Sequence, residues 1–185
     1  NGTWYDHDHS IYLGHQRLSI IDLSDNARQP MASNNQNILT YNGEIFNYNE
    51  LKNNLKSYKF NSTSDTELLI AMYDRYKDKC LNYFNGQFSF GIWDNSEKLL
   101  FLARDRVGIK PLYYTNVNSI FVFSSEIRSI LALPWIKAEL NKNELYHYLT
   151  YNYTTPPNTL FKGIYKFHPG YKMIVNAYGI KSYEP

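Results

Sequence analysis

The spacing of apolar positions changes period along this chain, and each change marks an element. Over residues 62–80 the sequence STSDTELLIAMYDRYKDKC repeats at helical intervals, with Leu68, Leu69, Met72, Tyr73 and Tyr76 on one apolar stripe. Ser64 followed three residues later by Glu67 reads as a capping box, with Asp65 in the first turn. A shorter amphipathic helix is predicted over 48–58, where Leu51 and Leu55 stand four apart. The period then falls to two: Phe84, Gly86, Phe88, Phe90 and Ile92 alternate along one face of a strand. The turn DNSEK, the return LLFLARDR, and then GIKPLYY, TNVNS and IFVFSS continue as an antiparallel meander. A helix over 125–133 is stopped by Pro134, and another spans 141–151 with Asn141 or Asn143 as its N-cap. Upstream, IYLGHQRLSIID (11–22) and QNILTYN (36–42) read as strands, the second ending at an Asn42-Gly43 turn. After a Pro-Pro loop the tail offers TLFKGIYKF, YKMIV and GIKSYEP as short strand pieces. Helices and strands fall in separate blocks, which predicts an α+β fold rather than alternating βαβ units.

Composition narrows the function classes. The 185 residues are enough for a real core, and the formal charge of +2 gives no electrostatic case for nucleic acid or an anionic membrane. No apolar run reaches the length of a membrane span, and the polar start NGTWYDHDHS lacks the apolar stretch of a signal peptide. The one cysteine, Cys80, leaves no internal disulfide framework or Cys-based zinc site and fits a reducing compartment. It closes a predicted helix and reads as core. The 18 tyrosines point to a packed β-rich body or to a ligand-binding surface. The first residue is not methionine, so the expectation is a fragment or a processed product.

The common nucleotide, zincin and serine-hydrolase motifs are missing from the sequence. The DHDH run at 6–9 could place His7 and His9 on one side as metal ligands, but a solvated loop is the expected reading, and no metal is assigned. Arg17 sits in an otherwise apolar predicted strand, where its planar fork could hold a carboxylate through two hydrogen bonds. Asp65 could favour the helix dipole or hold a ligand ammonium, and Glu44 is an odd neighbour for a plain Asn-Gly corner. An ordinary structural role accounts for each residue alone. Jointly, one guanidinium and two carboxylates suit a zwitterion such as a free amino acid. Asn42 could then offer a side-chain N–H, and Gly43 a backbone N–H, to an oxyanion.

LGHQRLSIID, YNGEIFNY, SDTELL, GQFSFGIWD, ARDRVGIKPLYY, FSSEIRSIL and LFKGIYKFHPG stand in this order over nearly the whole chain. Together they resemble the glutaminase domain of glutamine-hydrolysing asparagine synthetases, a class II glutamine amidotransferase domain of the N-terminal-nucleophile type. The resemblance implies a four-layer α/β/β/α sandwich of two antiparallel sheets. It implies that Arg17 binds the glutamine α-carboxylate, that Leu18 and Ile20 line the pocket, and that Glu44 and Asp65 contact the substrate amine. Asn42 and Gly43 would build the oxyanion hole. ARDRVGIKPLYY is read as structural, with Gly108 at its bend.

The family nucleophile is a cysteine at the mature N-terminus whose own α-amine is thought to act as base. A free α-amine titrates at about 7.7–8.0, so a good share of it is unprotonated near neutrality. This chain starts at Asn1, so the first strand and the catalytic cysteine are expected to be absent and the chain alone to be inactive. The family's ATP-pyrophosphate loop SGG-x-DS is not present either, and residues from about 150 to 185 read as the approach to a synthetase domain. The domain itself would need no cofactor. The expected whole is a cytoplasmic enzyme that hydrolyses glutamine and passes ammonia to an ATP- and Mg-dependent synthetase domain, which amidates aspartate or another carboxylate. A homodimer is compatible with it. Two alternatives stand: a non-catalytic glutamine-binding or scaffold module with the same fold, and an aromatic-rich carbohydrate-binding β domain.

Overall fold

Six strands form the central sheet of the computed structural model, which describes residues 2–18 and 21–185. In chain order the elements are β1 (Gly2–Asp6), β2 (Ile11–His15), β3 (Met31–Ala32), β4 (Ile38–Ile45), α1 (Tyr48–Asn54), α2 (Asp65–Tyr76), β5 (Gly86–Asp94), β6 (Leu99–Arg104), β7 (Tyr113–Val117), β8 (Ile120–Ser124), α3 (Ile127–Leu131), α4 (Lys142–Tyr151), β9 (Tyr165–Lys166), β10 (Lys172–Asn176) and β11 (Gly179–Glu184). The central order is β11-β10-β6-β5-β4-β3, antiparallel at every pair. Two smaller antiparallel sheets, β1-β2 and β8-β7-β9, complete the strands. The antiparallel α+β class predicted from the blocks of periodicity is the observed one.

Strand alternation splits the core in two. One face of the central sheet carries Leu39, Tyr41, Ile45, Phe88, Phe90, Ile92, Phe101 and Ala103, which pack with Leu51 and Leu55 of the α1 region and Leu68, Leu69 and Met72 of α2. The opposite face carries Ile38, Trp93, Leu100, Leu102, Met173 and Val175, against Leu13 of β2 with Leu112 and Phe167. Successive strand residues point to opposite faces, so one run of sequence feeds both cores. Gly91 belongs to the second face. A Cβ there would lie 2.6 Å from the Phe123 ring, so the missing side chain is what lets β8 settle on the sheet. Helix, central sheet and second sheet layer is the order expected of the sandwich, with α3 packed on β7 and β8.

Several predicted elements change at their ends, with physical reasons. Asn42-Gly43 is not a turn but the middle of β4, because both residues are paired with β5 opposite Ser89 and Phe88. β2 stops at His15, so Arg17 stands in the loop beyond the strand rather than within it. α2 ends at Tyr76, since Lys77 takes a positive φ of 51°. The capping box is altered: Ser64 Oγ accepts from Thr66 N, while the Glu67 carboxylate reaches past Ser64 to the amides of Asn61 and Ser62. The tail strands shorten too, and TLFKGIYKF keeps only β9. The DHDH run is a turn closed by Asp6, whose carboxylate accepts from Asp8 N and His9 N and meets His9 Nδ1 at 2.8 Å.

The segment after β6 is structural and is organised by two adjacent charges. Buried Asp105 accepts from the amides of Phe88, Val107, Ile109 and Lys110 at 2.9–3.2 Å. Arg104 donates to the carbonyls of Lys110, Phe167 and Gly108 at 2.5–2.7 Å. Burial alone would raise the Asp105 pKa, but its amide donors outweigh it and hold the carboxyl below 3.8. At the β5–β6 hairpin, buried Asp94 takes Lys77 Nζ, Tyr73 Oη and the amides of Ser96 and Glu97. Burial opposes ionisation there as well, yet these bonds lower the pKa to about 2.

A depressed native pKa means that the native chain binds the proton more weakly than the unfolded one. The stabilisation is therefore complete above the unfolded value of 3.8 and is lost as pH falls through the native values. Asp105→Asn is expected to cost about 2–4 kcal/mol at neutral pH, by weakening several charge-assisted bonds to buried amides. It should also flatten the stability loss as pH falls below about 4. Urea unfolding across that range checks both, and a variant with the parent's stability and acid slope would refute them.

Candidate functional site

The site begins at an edge that the sheet leaves open. β3 is two residues long and pairs only with Ile38 and Leu39, so among the described residues the outer side of β4 from Tyr41 onward has no neighbouring strand. In an antiparallel ladder the N–H and C=O of one residue point to the same side, and the side alternates along the strand. Tyr41 N donates outward to Gln29 Oε1 at 2.7 Å, and Ile45 N donates outward to Asp65 Oδ2 at 3.0 Å. Gly43 lies between them with the same parity. Its N–H therefore also points away from β5, and no acceptor among the described residues meets it. A glycine is required here: a Cβ would sit 2.2 Å from the Gln87 carbonyl oxygen.

That edge faces a cleft of about 1240 Å³, and the chemistry-bearing residues line it. Thr40, Asn42 and Glu44 alternate with the helix-facing Leu39, Tyr41 and Ile45, so their side chains occupy the face of β4 opposite the helical core. Asn42 and Glu44 are half-buried, and Glu44 forms no salt bridge among the described residues. Asp65 opens α2 and is buried, its Oδ2 accepting from Tyr41 Oη at 2.7 Å as well as from Ile45 N. Burial, with the Asp65 carboxylate beside it, pushes the Tyr41 phenol far above its ordinary pKa, so Tyr41 acts as a neutral donor.

Arg17 reaches the cleft from the loop after β2, and its Nη2 donates to the carbonyls of Ile21 and Asp22 at 2.6 and 2.5 Å. Asp22 then ties this loop to the start of α2. Its Oδ1 accepts from Ser24 N and Oγ, and its Oδ2 accepts from Thr63 N and Oγ1. These bonds, first of all the Ser24 hydroxyl, hold the Asp22 pKa well below the carboxylate range. The loop that carries Arg17 is thus pinned to the turn that carries Asp65.

Of the residues expected from the sequence, Arg17, Leu18, Asn42, Gly43, Glu44 and Asp65 all line this cleft, Leu18 with 83% exposure. Ile20 lies outside the described residues. Cys80 is fully buried in the helical core, where burial pushes its thiol up; it does not line the cleft. Sequence reasoning passed over His15, Gln29 and Tyr41, all of which meet the edge. His15 Nε2 lies 2.9 Å from the Tyr41 carbonyl oxygen. Burial lowers its pKa, and the nearby Arg17 charge adds to the effect. A histidine closing an apolar strand was the one available signal. Among the described residues no helix is long and apolar enough to cross a membrane.

A guanidinium, two carboxylates and an outward backbone N–H in one cleft form a chemistry suited to a small zwitterion with a polarisable carbonyl. Comparison with known proteins agrees. A family model described as a glutamine amidotransferase domain matches residues 1–184. Asparagine synthetase [glutamine-hydrolyzing] 3 of Bacillus subtilis is 37% identical over 179 residues, covering 94% of this chain and 29% of the relative. Amidase chry2 of Gibberella zeae is 36% identical, with 94% and 26% covered. The chain thus spans under a third of the length of these relatives. Among solved structures, glutamine phosphoribosylpyrophosphate amidotransferase from B. subtilis superposes with a TM-score of 0.64 at 21% identity, covering 92% of this chain and 33% of the other, which speaks for the N-terminal-nucleophile fold. The chain belongs to the glutamine amidotransferase domain family, and within it to the kind found in glutamine-hydrolysing asparagine synthetases.

Proposed function

We propose that these residues are the glutaminase part of a longer, cytoplasmic amidotransferase. It hydrolyses glutamine and supplies ammonia to an ATP- and Mg-dependent synthetase domain that follows, with aspartate as first candidate acceptor. The observation that carries the reading is the open Gly43 N–H in a cleft shared with Arg17, Glu44 and Asp65. Arg17 holds the substrate carboxylate, and Glu44 and Asp65 hold the ammonium. Asn42 Nδ2 and Gly43 N–H receive the oxygen of the side-chain amide as it gains charge.

The nucleophile is a cysteine outside these residues, since Cys80 is in the core. Its thiol gives up a proton and attacks the amide carbon as thiolate; that proton passes to the amide nitrogen, and the tetrahedral oxyanion collapses with loss of ammonia to a thioester. Water then cleaves the thioester to glutamate and the free thiol. Its place is supported by the strands. Among the described residues β2 pairs only with β1, and β8 only with β7, while both line the cleft. A strand laid between them would join the two small sheets into one and carry its side chains over the β4 edge.

The full-length protein should release glutamate and ammonia from glutamine, and a diazo-ketone glutamine analogue should add once, on a cysteine other than Cys80. The 185-residue chain alone should do neither. Glutamine binding without hydrolysis or adduct by the full-length protein would make it a non-catalytic module instead.

Substitutions separate binding from chemistry. Arg17→Lys should raise KM for glutamine about 10–100-fold by replacing the fork with a point charge, with a smaller change in kcat. Asn42→Ala should lower kcat about 10²–10³-fold with little change in KM. Steady-state glutaminase kinetics test both, and the reverse pattern would exchange the assigned roles.

A further inference from the structure

We infer that His15 is a positioning residue for the oxyanion hole: it fixes the outer edge of β4 so that Gly43 presents its N–H to the substrate. The inference deepens the glutaminase reading and rests on it. A carbonyl oxygen only accepts, so the 2.9 Å contact with Tyr41 O requires the proton on His15 Nε2. Nδ1 is then the unprotonated nitrogen. It is buried and meets no partner among the described residues. Protonating it would bury a charged N–H without an acceptor, close to Arg17, so the neutral Nε2–H form is the one the site favours.

The consequence lies in the next residue. The Tyr41 carbonyl and the Asn42 N–H share one rigid peptide plane, so holding the carbonyl outward fixes the direction of Asn42. Tyr41 is clamped twice at this edge, by Gln29 on its N–H and by His15 on its C=O. Asp65 clamps Ile45 two residues beyond Gly43. The Gly43 N–H is therefore held from both sides by side chains that do the work of a missing neighbour strand. His15 is the only one of the three clamps on the β2 side of the cleft, two residues before Arg17. It couples the hole to the loop that carries the carboxylate-binding guanidinium.

The test uses the full-length protein. His15→Ala is expected to lower kcat for glutamine hydrolysis about 10–100-fold, as a misplaced donor does, with KM within about twofold. His15→Gln places an amide N–H near the Nε2 position and should recover most of that loss. A merely structural role would lower stability and active fraction but would leave kcat per folded molecule unchanged. Nitrogen-15 shifts of labelled histidine in the unsubstituted protein, assigned by the signal lost in His15→Gln, should report the Nε2–H tautomer at neutral pH. This reading requires only that the conservative His15→Gln variant folds, not that His15→Ala does. A kcat within about twofold of the parent in His15→Ala, a His15→Gln as impaired as His15→Ala, or an Nδ1–H tautomer would each overturn the inference while leaving the proposed function standing. An unsubstituted protein that releases no glutamate would overturn the proposed function, and this inference with it.

Discussion

The structure turns on the unpaired outer edge of β4. Buried backbone donors and acceptors must find partners, and a sheet supplies them only as far as its strands extend. β3 ends after two residues, so at Tyr41 the edge passes to side chains. Gln29 and His15 take Tyr41, Asp65 takes Ile45, and the Gly43 N–H meets no acceptor among the described residues. An open edge is ordinarily an aggregation hazard. Here the hazard is confined to one residue, and that residue is the candidate donor for an oxyanion. The groups that satisfy the edge come from the elements that carry the rest of the site. Backbone satisfaction and site assembly are therefore one constraint.

The edge is stiff because of what stands behind it. Tyr41 and Ile45 are buried against α2, and the Tyr41 hydroxyl reaches over to the Asp65 carboxylate. Both Asp65 oxygens are engaged: one fixes Tyr41 and Ile45, and the other accepts from the Ser64 hydroxyl at 3.5 Å. The helix start that presents it is itself held. Ser64 caps the helix, Glu67 gathers the preceding amides, and Asp22 ties Thr63 to the Arg17 loop. Displacing any one of these would disturb the positions of both Arg17 and Asp65.

The sequence made the large features legible through periodicity. The two-residue alternation from Phe84 to Ile92 and the helical stripe of α2 both predicted the helix-facing core, and Cys80 fell in it as expected. The motif order named the family, and the residues it singled out do converge on one cleft, Ile20 aside. What the sequence hid was local. Asn-Gly is a strong turn signal, but the tertiary partner β5 overrode it and drew both residues into a strand. The glycine is needed there for the close approach of the Gln87 carbonyl, and the pattern alone cannot separate that reason from a turn. His15 and Gln29 were missed because their roles are bonds to the Tyr41 backbone, 26 and 12 residues away, and Tyr41 because its hydroxyl meets the Asp65 carboxylate 24 residues on.

The seam between β2 and β8 follows from the same logic. Each wall is anchored to the central sheet on its own: Leu13 of β2 joins the second core, and Phe123 of β8 lies over the space left by Gly91. Both walls are thus fixed against the sheet that carries Asn42 and Gly43. The fold keeps the candidate binding groups and hole donors on the rigid sheet and its pinned loops. Geometry of this kind favours the transition state over the bound substrate, because the donors are fixed before charge develops.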